Sequence, residues 1–198
     1  MIAKRFFDLF FSILGLVLLA PALLLVSILI KIDSKGPVFF RQQRVGLNGK
    51  IFRIHKFRTM VTDTESSGLQ LTVGKDRRIT RIGRWLRRYK LDELPQLIDV
   101  LYGEMSIVGP RPEVPRYVAL YPAEIKRVVL SVRPGITDLA SIEYRNENTI
   151  LGNAENPERA YIEQIMPVKL GYCRQYVEQR SLLLDLKIIL RTLIAVAG

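Results

Sequence analysis

The sequence predicts an α+β fold, mainly helical, in which an N-terminal re-entrant membrane helix bent at Pro21 precedes a domain of a small β-hairpin and amphipathic interfacial helices. Three observations predict it. Residues Phe6 to Ile30 form an apolar run with Pro21 inside it, Asn48-Gly49 separates two strand-like runs, and most segments beyond Lys75 place apolar residues at helical spacing. The expected division is a membrane helix over 1–35 and a cytoplasmic domain on the membrane surface over 36–198.

Within the apolar run only Asp8 and Ser12 are polar, and Lys4 and Arg5 precede it while Lys31 and Lys35 follow. As a straight helix it would reach about 37 Å, enough to cross a hydrocarbon core of about 30 Å. Two features speak against a crossing. Pro21 removes a backbone hydrogen bond and divides the run into arms of roughly 22 and 15 Å, and the flanking positive charges are nearly balanced. A helix that bends at Pro21, dips into one leaflet and returns satisfies both, with Ser12 or a protein neighbour serving the carbonyls freed at the bend. A spanning helix stays open on the residues alone. A signal peptide is a third reading, because Ala20-Pro21-Ala22 resembles a cleavage site; Asp8 and the apolar residues Leu23 to Ile30 speak against it.

Composition supports a membrane surface. The chain carries 30 Lys and Arg against 19 Asp and Glu, a formal net charge of +11, yet 48% of its residues are apolar. On an anionic membrane face each nearby Lys or Arg contributes roughly 1 kcal/mol. A soluble nucleic-acid binder would be more polar, although phosphate-rich partners attract the same residues. The single cysteine, Cys173, permits no intrachain disulfide and suits a reducing cytoplasm; it reads as a small, partly buried side chain.

Beyond Gly36, Val38 to Val45 and Lys50 to Phe57 read as strands joined by Leu47-Asn48-Gly49. Thr62 to Gly74 is polar and reads as a mobile loop. Between Lys75 and Lys90 eight cations face one acid, Asp76, and Ile82, Trp85, Leu86 and Tyr89 fall on one helical face. That pattern suits a membrane interface or the rim of a phosphate site; a solvated helix packed on the core and a nucleic-acid contact are the alternatives. Leu94 to Tyr102 reads as a helix stopped by Gly103, and Pro115 to Leu130 as one interrupted by Pro122. Pro157 to Met166 and Val168 to Gln179 follow, separated by Pro167. Ser181 reads as the N-cap of a last helix, Leu182 to Ala197, too apolar for a free surface and so expected on the membrane or against the first helix.

The stretch Leu91 to Gln96, LDELPQ, holds the strongest chemical signal. Pro95 is tolerated only in a helix's first turn, which puts Asp92 and Glu93 at a helix N-terminus. There backbone N–H groups favour an ionised carboxylate and can hold a phosphate. Such a carboxylate can attack phosphorus, and its neighbour can share Mg²⁺ or move a proton. An ordinary N-cap is the bland reading of the same pair. Gly109-Pro110-Arg111-Pro112 presents Arg111 on a stiff backbone suited to gripping phosphate. Lys56 and Arg58 flank Phe57 at the hairpin's end, and Arg133-Pro134-Gly135 repeats the stiff loop. Each could be a surface loop; together with the paired acids they point to a diphosphate substrate.

In order, KFRTM, LDELPQ, GEMSIVGPRP, RPGIT and SLLLDLKIIL, after a proline-bent apolar segment, closely resemble the bacterial sugar transferase family, the monotopic phosphoglycosyl transferases. The resemblance runs from about Lys4 to Arg191. It implies a re-entrant helix, an active site at the cytoplasmic face of the bacterial inner membrane and both termini cytoplasmic. It further implies a two-step transfer: Asp92 attacks a UDP-sugar, UMP leaves, and polyprenyl phosphate takes the phosphosugar. Glu93 would be the dyad partner, with Mg²⁺ as cofactor held by Asp92 and Glu93. Arg111 and Arg87 match phosphate-binding positions; Lys56, Arg58 and Arg133 are further phosphate-binding candidates. The implied partners are UDP-sugar, polyprenyl phosphate and a phospholipid membrane, and no nucleic acid; a homodimer is left open. After RPGIT many members continue with Gly and a Gln-containing run, whereas this chain has Asp138 to Glu147, a region suited to contact with the nucleotide or sugar, so no sugar is inferred. The rival reading is a membrane-anchored scaffold or nucleic-acid-binding module using the basic stretch Lys75 to Lys90.

Overall fold

Helix α1 runs from Ile2 to Asp33 and passes through Pro21 without ending there. It belongs to a computed structural model that describes residues 2–61, 76 and 78–197; the loop expected over Thr62 to Gly74 lies outside these residues, as do Lys75 and Arg77. Most of α1 exposes apolar side chains, Phe6, Val17, Leu18 and Leu24 among them, and only Asp8, Ser12, Val26 and Ile30 are buried. Its few polar residues are anchors. Asp8 accepts from Lys4 Nζ (2.9 Å), Ser106 Oγ (2.9 Å) and the Ile107 amide (3.2 Å). Lys4 also pairs with Asp185 Oδ2 at 2.9 Å, tying the first helix to the last. At the other end Val26 and Ile30 pack on Phe57 and Leu86, and Asp33 accepts the Ile82 amide at 3.0 Å. Both ends of α1 therefore sit on the same body.

The hairpin forms as its turn residues require. Strands β1 (Phe39–Phe40), β2 (Gln43–Val45), β3 (Ile51–Arg53) and β4 (Lys56–Phe57) make two antiparallel pairs, β1 with β4 and β2 with β3. Asn48 (φ 54°) and Gly49 (φ 80°) supply the left-handed conformations of the connecting turn. The pairing buries Phe52 and Phe57 and carries Lys56 inward.

Helix α2 (Arg81–Arg88) starts at Thr80, whose side chain accepts the Gly83 amide. Its apolar stripe splits: Leu86 is buried with Ile82 beside it, while Trp85 and Tyr89 stay exposed with rings 5.7 Å apart. After a 3₁₀ turn over Leu91–Glu93, helix α3 (Gln96–Leu101) runs to Gly103 (φ 80°).

Strands β5 (Ser106–Val108) and β6 (Gly135–Thr137) pair in parallel, a contact the sequence reading did not foresee. The flanking loops touch at two glycines. A Cβ on Gly135 would lie 2.1 Å from the Gly109 amide nitrogen, so only glycine lets these backbones meet.

Helices α4 (Pro115–Val118) and α5 (Ala123–Val129) divide at Pro122 as expected. Helices α6 (Leu139–Glu143), α7 (Glu147–Gly152) and α8 (Pro157–Ala160) follow. Pro167 does not separate two helices. A π-helical turn over Tyr161–Ile165 leads straight into α9 (Met166–Gln179), and this wider turn accommodates Pro167, which lacks the N–H that an unbroken α-helical ladder would need. Val114, Tyr117, Val129, Leu151, Tyr161 and Leu170 form the largest buried cluster beneath these helices. Ser181 caps α10 (Leu182–Ala197) by accepting the Leu184 amide at 3.2 Å.

Candidate active site

Asp92 and Glu93 lie on the 3₁₀ turn, 1% and 8% exposed. The turn is set by Lys90, a non-glycine residue in the left-handed region (φ 55°, ψ 18°), a conformation that costs roughly 1 kcal/mol and is common at functional sites. Lys56 arrives from β4 and bridges the two acids, 2.9 Å from Asp92 Oδ2 and 3.1 Å from Glu93 Oε1. Arg111 grips Glu93 through both guanidinium ends, with Nη1 at 2.9 Å from Oε2 and Nη2 on Oε1. Its backbone amide donates to Asp138 Oδ2 at 3.1 Å, and Asp138 caps α6 by accepting the Ser141 amide at 2.7 Å. The stiff proline loop thus delivers Arg111 from a base pinned to the start of α6.

Asp92 Oδ1 is buried and has no hydrogen-bond partner among the described residues. A carboxylate oxygen stripped of water and left unpaired is costly, so a reactive or ligand-binding role is its natural explanation. Burial alone would push the Glu93 carboxyl up, but the charges of Arg111 and Lys56 outweigh it and hold Glu93 well below the usual carboxylate range. The Glu93 charge in turn raises Arg111. The pair is ionised and locked together.

The dyad opens into a cavity of about 780 Å³, the size of a small-molecule site. Arg87, Arg88 and Lys90 line it beside the acids, and Arg87 Nε donates to Thr59 Oγ1 at 2.8 Å. One wall is apolar and comes from α1, α3 and α10 through Leu19, Leu97, Ile189 and Leu193; another comes from α6, α7 and α9. Cys173 lines the cavity with its thiol 3.8 Å from Asp138 Oδ2, and burial pushes that thiol up, out of reach of a nucleophile's range.

Of the expected site residues, Asp92, Glu93, Lys56, Arg87 and Arg111 converge. Arg58 and Arg133 do not. Arg58 donates to the carbonyls of Ser34 (2.7 Å) and Lys35, closing the C-terminal end of α1, and Arg133 Nε donates to Gly103 O at 2.7 Å beyond α3. Cations stabilise unpaired carbonyls at helix C-termini, and that explains both placements. Sequence reasoning held Arg88 and Lys90 only as members of a basic stretch suited to a phosphate rim, and Asp138 only as the start of a segment suited to nucleotide or sugar contact. Asp138 directly ahead of Leu139 and Ala140 is a legible N-cap signal; nothing in the sequence marked the left-handed backbone of Lys90.

A sequence profile described as bacterial sugar transferase matches residues 1–198. The chain is 42% identical over 199 residues to the undecaprenyl-phosphate glucose phosphotransferase of Komagataeibacter xylinus, covering 98% of this chain and 35% of that protein. It is 40% identical over 203 residues to the exopolysaccharide production protein PSS of Rhizobium leguminosarum bv. phaseoli, covering 98% of this chain and 95% of that protein. It is 36% identical over 192 residues to the UDP-N-acetylgalactosamine-undecaprenyl-phosphate N-acetylgalactosaminephosphotransferase of Aeromonas hydrophila, covering 96% of this chain and 42% of that protein. The chain thus spans about a third of the length of the first of these relatives and nearly all of the second.

Proposed function

Because this chain belongs to the bacterial sugar transferase family, we propose that it moves a sugar 1-phosphate from a UDP-sugar to polyprenyl phosphate, releasing UMP, through a phosphosugar held covalently on Asp92. The observation that carries this reading is the Oδ1 of buried Asp92, unpartnered among the described residues, beside an Oδ2 fixed by Lys56.

In the first step Oδ1 attacks the sugar-bearing phosphorus, the bond from that phosphorus to the UMP oxygen breaks, and its electron pair leaves with UMP. In the second, an oxygen of the polyprenyl phosphate attacks the same phosphorus, the bond to Asp92 breaks and the carboxylate returns. Lys56 and Arg111 exchange Glu93 for phosphate oxygens when substrate binds, which is where their charge serves the transition state. Glu93 then stays buried with fewer cations around it, so its carboxyl rises toward the range in which it can take a proton from the lipid phosphate.

The donor set fits Mg²⁺ in one way. No three metal-ligating side chains converge among the described residues; Lys56, on turning to phosphate, frees Asp92 Oδ2, and Glu93 is left for the proton. The ion would therefore be held by Asp92 together with the donor's diphosphate oxygens, where it would neutralise charge on the leaving phosphate.

A lipid acceptor is supported by the apolar cavity wall, because α1 and α10 present apolar residues both to the cavity and to the outside. The docking of both ends of α1 on one body supports a helix that enters and leaves the membrane on the cytoplasmic face. The reaction would begin glycoconjugate assembly at the membrane. Membranes carrying the protein are expected to release UMP from a UDP-sugar in the presence of Mg²⁺ and polyprenyl phosphate, and stopping the reaction before the lipid is added should leave a phosphosugar on the peptide containing Asp92. An adduct on another residue, or no UMP from any donor, would defeat the reading. Labelling of either terminus from the periplasm would defeat the topology alone.

A further inference from the structure

Part of the cavity wall is used by neither step of that reaction. Around α7 and α9 it is lined by Arg145, Glu147, Asn148 and Lys169. Lys169 Nζ pairs with Glu147 Oε2 at 2.8 Å, the side chains only 16% and 22% exposed. The same ammonium lies 5.4 Å from the centre of the Tyr161 ring, and Tyr121 and Tyr144 pack on the core cluster that holds that ring.

Charge separates this wall from the dyad. Around Asp92 and Glu93 the lining cations Lys56, Arg87, Arg88, Lys90 and Arg111 are in excess, as a diphosphate requires. Around Tyr161, by contrast, Lys169 is matched by Glu147, and Arg44 by the Glu113 that accepts from the Tyr161 hydroxyl. Matched charges beside aromatic rings suit a neutral ligand rich in hydroxyls. The carboxylate accepts from them, the ammonium donates to them, and the half-buried ring of Tyr144 covers an apolar C–H face.

We propose that this wall reads the hydroxyl pattern of the donor's hexose, with Glu147, Asn148 and Lys169 as specificity-determining residues. The inference rests on the transferase reading above. In a double displacement the phosphosugar stays on the enzyme while the nucleotide leaves and the lipid phosphate takes its place. Only the sugar needs a pocket that persists through both steps, and this wall is built on the main buried cluster rather than on the apolar helices α1 and α10. Arg145 and Glu147 also fall in the segment where the chain departs from the family pattern.

UMP release by the full chain in membranes with polyprenyl phosphate tests this across UDP-glucose, UDP-galactose, UDP-N-acetylglucosamine and UDP-N-acetylgalactosamine. Glu147→Gln and Asn148→Ala are expected to change the kcat/KM ratio between the preferred and next-best donors by about tenfold, with inhibition by UMP unaltered. Exchanging the charges, Glu147→Lys with Lys169→Glu, restores an ion pair and is expected to restore the melting temperature without the donor preference. A uniform loss across donors with weaker UMP inhibition assigns the wall to the uracil and overturns the proposal. A preference that returns with the ion pair, or one unmoved in both single variants, overturns it too. Failure of the unmodified protein to turn over any donor would instead strike the transferase reading itself.

Discussion

Two buried carboxylates seven positions apart, Asp92 and Asp99, show how differently a fold can treat the same side chain. Asp99, on α3, has both oxygens engaged: Oδ2 accepts the His55 amide at 2.7 Å and Oδ1 meets His55 Nδ1 at 2.6 Å, while Arg41 donates to His55 Nε2 at 2.6 Å. Asp92 is equally buried, yet one of its oxygens has no partner among the described residues. Next door, Lys56 reaches the dyad and His55 reaches Asp99, so the strand end serves both acids at once. A fully satisfied buried acid is a structural tie. A half-satisfied one is paid for by function.

The sharpest way to break this contrast is Asp92→Asn. Loss of a nucleophile is expected to cut UMP release by roughly a thousandfold or more. The melting temperature should change little, because no partner of Oδ1 is lost and Lys56 keeps Glu93. Parallel turnover and thermal-melt measurements check both halves.

Asp99→Ala should do the reverse. It strands the His55 amide and ring nitrogen, at a cost of about 1–3 kcal/mol in stability, while the folded fraction keeps its donor KM. A denaturant midpoint that does not move would erase the distinction between the two acids.

Lys56 and Arg58 offer a smaller version of the comparison within one motif. Arg58→Met removes the cation closing α1 and is expected to cost about 1 kcal/mol of stability without raising the donor KM, whereas Lys56→Met raises KM. If Arg58→Met behaves like Lys56→Met, the guanidinium reaches substrate and its placement here is not the one that acts.

The gentlest test is pH. Cations hold the folded Glu93 carboxyl below its ordinary range despite burial. Its stabilising contribution is therefore complete above that range and is lost as pH falls through it. The stability difference between the unmodified protein and Glu93→Gln should shrink on acidification. A difference that grows toward low pH would mean burial, not Arg111, governs Glu93.

Much of this was legible in the chain. The long apolar helix, the hairpin at Asn48-Gly49, the cap at Ser181 and the break at Pro122 follow from local rules and appear as read. Asp92, Glu93, Lys56, Arg87 and Arg111 were singled out and do converge. The misplacements were of residues whose partners lie far away in sequence. Arg58 and Arg133 sit in motifs that look like phosphate grips, but the carbonyls they satisfy belong to helix ends 24 and 30 positions away. Pro167 seemed to end a helix because a π turn that accommodates it leaves no compositional trace.

The sequence by itself determined where helices and turns begin, which face of each is apolar and which acids stand at a helix start, because these depend on neighbours within a few residues. Only the tertiary structure decided which cations surround the acids, which close helix ends, and that Asp92 keeps an oxygen free. Those outcomes depend on which distant groups the fold brings to each buried charge, and the parallel meeting of Gly109 with Gly135 that sets Arg111 in place is one such contact.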